Sequence, residues 1–140
     1  MKKSVILLLV VFVLSALTTA YADDVTMPVD EPIIEEYIDL SSTTASLQIN
    51  GNTASCYGYA RSRVSTDSIH MWMYLQKQTT TGWTTVSSWY KQNVRLVSLD
   101  KTKSGLSAGT YRVRVYIEVY DFNGIFVEYA NAYSKLKVVS

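Results

Sequence analysis

The sequence predicts an all-β domain, a sandwich of about seven antiparallel strands, and three observations predict it. Short runs alternate apolar and polar residues at the period of two expected of half-buried strands. Turn residues separate those runs at the spacing of an all-β sandwich, and no helical pattern of useful length interrupts them. The third observation is the most specific. Tyr111 opens a long alternating strand, with Gly109 just before it and Leu106 three residues further back. A Leu, a Gly and a Tyr so placed form the tyrosine corner of immunoglobulin-like sandwiches, where the phenol hydroxyl reaches back to an upstream backbone group.

Taken in order, the chain begins with Lys2 and Lys3, an apolar run from Val5 to Leu17, and an Ala20-Tyr21-Ala22 exit. That is the pattern of a secretory signal peptide, residues 1–22, cleaved after Ala22. The apolar run is too short to span a bilayer. No second such run follows, so the expected mature chain is extracellular and has no transmembrane segment. Residues 23–40 carry seven acids, no base and both prolines, which reads as an extended acidic leader. Ile33, Ile34, Tyr37 and Ile38 are compatible with one short apolar helical stripe behind Pro32.

The domain, residues 41–140, starts with Ala45, Leu47 and Ile49 alternating up to Asn50-Gly51-Asn52, a hairpin signal. Ala54, Cys56, Gly58 and Ala60 then face inward, and such small residues imply close approach of the two sheets. The third strand points Ile69, Met71, Met73 and Leu75 inward, and His70, Trp72, Tyr74 and Gln76 outward. After the Thr79–Gly82 turn, the fourth strand carries Val86 and the pair Trp89-Tyr90. Leu96 and Leu99 mark a fifth. The corner strand buries Tyr111, Val113, Val115, Ile117 and Val119. A turn at Asp121–Gly124 leads into a last strand of mixed parity, where a bulge near Asn131 would reconcile Ile125, Val127 and Tyr129 with Leu136 and Val138.

Several of these segments resemble a family of small secreted immunoglobulin-like proteins of Gram-positive, clostridial-type bacteria, a family with no assigned function. The matching residues are Ala45-Ser46-Leu47-x-Ile49, Cys56 with Gly58, and Leu75-Gln76-Lys77. Further on are Gly82-Trp83-x-Thr85-Val86-x-x-Trp89, Leu99-x-Lys101-Thr102, Gly109-Thr110-Tyr111-Arg112-Val113, and Tyr133-Ser134-Lys135. The resemblance spans nearly the whole domain and none of the leader. It implies secretion and the fold, and no activity. The aromatic third strand and the acidic leader depart from the family's pattern.

The residues give no catalytic constellation and call for no cofactor. The single His, His70, and the single Cys, Cys56, fall on opposite faces by strand parity, and one Cys excludes an intrachain disulfide. The thiol is expected to be buried and inert. Asp67, Ser68 and His70 are strung along one strand rather than converging as a triad. Glu118 and Glu128 fall near one hairpin, where pairing with bases on the sheet surface is the simpler expectation. Asp121-x-Asn123-Gly124 begins like a calcium loop but lacks the remaining ligands, so a turn is expected, and no other metal spacing occurs.

Charge and aromatic placement carry the functional expectation. From Ser41 onward eleven Lys or Arg stand against five acids, so an acidic leader precedes a basic domain. If the aliphatic positions of the third and corner strands are buried, Trp72, Tyr74, Arg112, Arg114, Tyr116 and Tyr120 share one outer surface. Rings of that kind stack on sugars, and Arg adds anion and cation–π contacts. The expected function is a non-catalytic extracellular binding module for an envelope glycan, an anionic wall polymer or a protein partner. Nucleic acid is not expected, because the bases are scattered and no binding motif occurs. The alternative is a small secreted effector, bacteriocin-like or a toxin, whose acidic leader masks its basic domain.

Overall fold

The computed structural model describes residues 37–140, so the signal-peptide reading and most of the leader lie outside the described residues. The described chain is all β. Its strands are β1 (Leu40–Asn50), β2 (Thr53–Ser62), β3 (Ser68–Thr79), β4 (Gly82–Val94), β5 (Leu96–Lys103), β6 (Gly109–Tyr120), β7 (Phe126–Tyr133) and β8 (Lys137–Val139). They make two packed antiparallel sheets. One is ordered β1-β2-β5; the other is β4-β3-β6-β7, with β8 paired to the start of β6.

The interior follows the alternation. On β3, Ile69, Met71, Met73 and Leu75 lie opposite Val119, Ile117, Val115 and Val113 of β6, and all eight are fully buried. Burying a side chain of this kind stabilises by about 1.5–3 kcal/mol, so this double row holds the sheets together. Ala54, Cys56 and Ala60 face it from β2. Between them, a Cβ on Gly58 would come 3.0 Å from Val115 Cγ2 and 3.1 Å from Met71 Sδ. The sheets therefore approach closely at Gly58, as its run of small residues implies.

The start of β6 is pinned from within. Tyr111 is buried, and its hydroxyl donates to the Ser107 carbonyl at 2.7 Å. Leu106 packs in the core while its N–H donates to the Asn52 carbonyl at 2.9 Å. The corner thus ties the loop before β6 to the β1–β2 turn. That turn is the two-residue Gly51-Asn52, with Gly51 at φ 61°. At the far end of β6, Asp121 Oδ1 accepts from the N–H groups of Asn123 and Ile125, and Gly124 sits at φ 77°. This is the Asx turn expected there.

Three local expectations are corrected. Eight strands form rather than seven, because Ser134 to Leu136 leave the ladder and the chain re-pairs as β8. Asn131 is in regular register opposite Tyr116; the irregularity falls at Val127, between the pairs Tyr120–Phe126 and Val119–Glu128. The fifth strand forms where Leu96 and Leu99 mark it, with Val97 and Leu99 on its inward face and Leu96 exposed. Tyr37 and Ile38 are not helical, and Ile38 is exposed.

The bulge at Val127 turns Glu128 inward, where its carboxylate accepts from the backbone N–H groups of Ile38, Asp39 and Leu40 at 3.0, 2.7 and 2.7 Å. Among the described residues neither Glu128 nor Glu118 has a basic partner, contrary to the pairing expected from sequence. Glu128 instead anchors the start of β1, which opens one residue ahead of the boundary expected at Ser41. Among the described residues no helix is long and apolar enough to cross a membrane.

Candidate binding surface

Strand parity puts the six residues singled out from sequence on one face. Register pairs Trp72 with Tyr116 and Tyr74 with Arg114 across β3 and β6, and Gln76 with Arg112. Tyr120 lies opposite Ser68 at the far end. All six are half-buried and point away from the interior, while their sequence neighbours on both strands are buried. The outer face of the β4-β3-β6-β7 sheet is therefore continuous from Arg112 to Tyr120.

Rings run across all four strands of this face. The Trp72 ring lies 5.0 Å from that of Tyr90 on β4 and 5.6 Å from that of Tyr116 on β6. Tyr116 continues to Tyr129 on β7 at 6.2 Å, and Tyr120 meets Phe126 edge-on at 5.7 Å. His70 stacks beside Trp72, meets Tyr120 at 4.9 Å, and shares a 2.7 Å hydrogen bond between Nδ1 and the Tyr90 hydroxyl. Tyr90, Phe126, Tyr129 and Tyr133 are each about half exposed, at 49, 50, 61 and 51 %. So large an aromatic area on a wet sheet face is the unusual feature of the fold.

The two arginines are built into the same array. The Arg112 guanidinium lies 4.1 Å from the centre of the Trp83 ring and 4.6 Å from that of Tyr133, within cation–π reach of both. Its Nε donates to Gln76 Oε1 at 2.9 Å, and Gln76 is itself buried. Arg114 is held more loosely: Nε donates to Asn131 Oδ1 at 3.0 Å, and the guanidinium lies 5.7 and 5.9 Å from the centres of the Tyr74 and Tyr116 rings. Contacts of guanidinium with ring are worth about 0.5–2 kcal/mol each, which orders side chains that otherwise sample many rotamers.

Glu118 is the acid of this face. Both its oxygens are taken, by the Tyr116 hydroxyl at 2.9 Å and the Tyr120 hydroxyl at 2.7 Å. The two phenols are held above their ordinary pKa, Tyr116 first by burial and then by the bond to Glu118, Tyr120 first by that bond. Both remain donors beside a carboxylate, which fixes the ring positions along β6.

The other constellations do not converge. Asp67 is buried and accepts from Ser62 Oγ at 2.6 Å, while His70 Nδ1 engages Tyr90, so Asp67, Ser68 and His70 do not form a relay. Glu118 and Glu128 face opposite sides of their sheet and share no cleft. Cys56 is buried, and burial with the nearby Asp100 carboxylate raises its thiol to about 11, which suppresses the nucleophilic thiolate. Among the described residues no cluster of His, Cys, Asp or Glu could hold a metal ion. An open hollow of about 510 Å³ lies at the Tyr120 end, lined by His70, Gln92, Tyr120 and Phe122 among others.

Sequence reasoning missed the outer two strands of the surface: Trp83 and Tyr90 on β4, and Phe126, Tyr129 and Tyr133 on β7. Two bulges hide Tyr90, Tyr129 and Tyr133. The β3–β4 hairpin closes on Thr79 opposite Gly82, and that register carried along unbroken would set Trp89 opposite Trp72. The extra residue Val86, between the pairs Gln76–Thr85 and Leu75–Ser87, shifts it by one. Tyr90 then faces out, and Trp89 packs against the core. Val127 does the same on β7, sending Glu128 in and Tyr129 out.

No protein-family model matches this chain, and comparison with curated proteins finds no match. The resemblance drawn from short segments thus adds nothing to the geometry, which stands on its own as an aromatic and basic sheet face.

Proposed function

We propose that this chain is a secreted, non-catalytic binding module that engages a saccharide-containing polymer of the cell envelope through the outer face of β4-β3-β6-β7. One observation carries the reading: a ring network crosses all four strands, yet four of its members or flanking rings stay about half exposed. Rings left half exposed on an open sheet face suit pyranose faces, which stack on aromatic side chains. Export is proposed from the positive, apolar and small-residue pattern of residues 1–22.

The finer fold reading is immunoglobulin-like. Its support is the strand order, β1-β2-β5 against β4-β3-β6-β7, together with a corner tyrosine at the start of the strand that pairs with β3.

The test is affinity electrophoresis or pull-down of the purified chain on insoluble envelope glycan. Replacing Trp72 and Tyr116 together by Ala is expected to cut retention at least tenfold, about 1.4 kcal/mol. Unchanged retention by a variant that still melts cooperatively would remove this face from the account.

A further inference from the structure

We infer that Arg112 and Arg114 form a preorganised subsite for successive anionic groups, so that the polymer bound is one carrying a phosphodiester or carboxylate in each repeat. The inference rests on the contact surface proposed above and names the chemistry of its ligand.

Each guanidinium is fixed by the part of it that faces the sheet. Nε is spent on a neutral amide, Gln76 for Arg112 and Asn131 for Arg114, and each guanidinium lies over two rings, at 4.1 and 4.6 Å for Arg112 and 5.7 and 5.9 Å for Arg114. Gln76 is only 7 % exposed, so the anchor of Arg112 is itself locked in place. The terminal amino edges of both forks have no carboxylate partner among the described residues. The acid on the same strand, Glu118, accepts from two phenols and makes no ion pair with either arginine. Two unneutralised cations side by side repel one another, an arrangement that folding alone does not favour. An anion relieves it.

Spacing sets the repeat. Arg112 and Arg114 are two residues apart on one strand and point the same way, so their stems are about 6.5–7 Å apart. A guanidinium edge accepts phosphate or carboxylate oxygens as a two-pronged pair, and rigid forks lose little entropy on binding. Beyond Arg114 the strand continues with Tyr116, whose ring contacts Trp72, so anions at the arginine end and sugar rings at the tyrosine end would share one track along β6.

The experiment is calorimetric titration of the full chain with polyglycerol phosphate, polygalacturonate, a neutral cello-oligosaccharide and a single-stranded oligonucleotide. At least one of the first two is expected to bind ten times more tightly than the neutral sugar, the phosphate and carboxylate arms identifying the source of the anion. Raising salt from 50 to 200 mM is expected to weaken it by about five- to tenfold, the loss for two neutralised charges. Arg112→Gln with Arg114→Gln is expected to cost the polyanion at least ten times more than it costs the neutral sugar. Arg112→Lys with Arg114→Lys, which keeps charge and stem, is expected to cost at least threefold because the fork is lost. Equal affinity for neutral and anionic polymers, polyanion affinity indifferent to the glutamine pair, no polyanion binding, or tighter binding of the oligonucleotide than of both polymers would each overturn the assignment. A neutral preference abolished by Trp72→Ala with Tyr116→Ala would overturn the anion subsite and leave the aromatic surface standing.

Discussion

Glu128 holds the backbone N–H of Leu40 at 2.7 Å, and that bond joins the first strand of one sheet to the edge of the other. The same carboxylate takes the N–H groups of Ile38 and Asp39, so three consecutive donors converge on one side chain. Glu128→Gln puts an amide donor where an acceptor is needed. The expected loss is about 1.5–3 kcal/mol, the range for hydrogen bonds to a charged group, read as a lower denaturation midpoint with unchanged slope.

Asp39 gives the region a pH dependence whose sign can be stated. Burial, and then the Asp67 and Glu128 carboxylates, raise its pKa above the ordinary 3.8, with Arg63 opposing. A raised value means that the fold prefers the protonated form. The contribution of Asp39 is therefore fully present below about pH 3.8 and is lost as pH climbs through the raised value. Asp39→Asn, neutral throughout, is expected to melt higher than the parent at pH 7 and equally at pH 3. Thermal melts of both proteins at the two pH values decide it; coincident curves at pH 7 would exclude the effect.

Tyr111→Phe removes one hydroxyl and leaves the ring buried. The Ser107 carbonyl loses its 2.7 Å donor, and the expected cost is about 1–2 kcal/mol, or a fall in Tm of several degrees for a domain of this size. Hydrogen exchange should quicken first in the segment 104–110, ahead of the strands. Uniform acceleration would show that the bond supports the whole sandwich rather than its corner.

Gly58→Ala tests the narrow point of the core. The added methyl meets Val115 Cγ2, which is stiff, and Met71 and Met73 sulfurs, which can yield. Overpacking of this kind costs about 1–3 kcal/mol. Pairing the change with Val115→Ala should recover most of the loss, and a double-mutant cycle in denaturant measures the recovery. Additive losses would mean that the two sites do not touch.

The interior was legible in the sequence because its period is unbroken. Ile69 to Leu75 and Tyr111 to Val119 alternate without a slip, so their faces followed at once, and so did Trp72, Tyr74 and the β6 residues opposite them. The edges of the surface were not legible. Val86 and Val127 look like ordinary strand valines, yet each is the extra residue of a bulge, and each reverses the facing of every residue beyond it. Alternation cannot locate such a residue, because both registers leave apolar side chains on either face. The partner of Glu128 was hidden for a different reason: the donors belong to backbone some ninety residues away, and no side-chain pattern announces them.

Because β3 and β6 devote odd positions to the interior and even ones to solvent, the two sets of side chains answer to separate demands. Substituting Trp72, Tyr74, Arg112 or Tyr116 alters what the molecule touches without disturbing Met71, Met73, Val113 or Val115 a residue away. Such a lineage can drift from one ligand to another by single replacements, keeping its scaffold intact throughout.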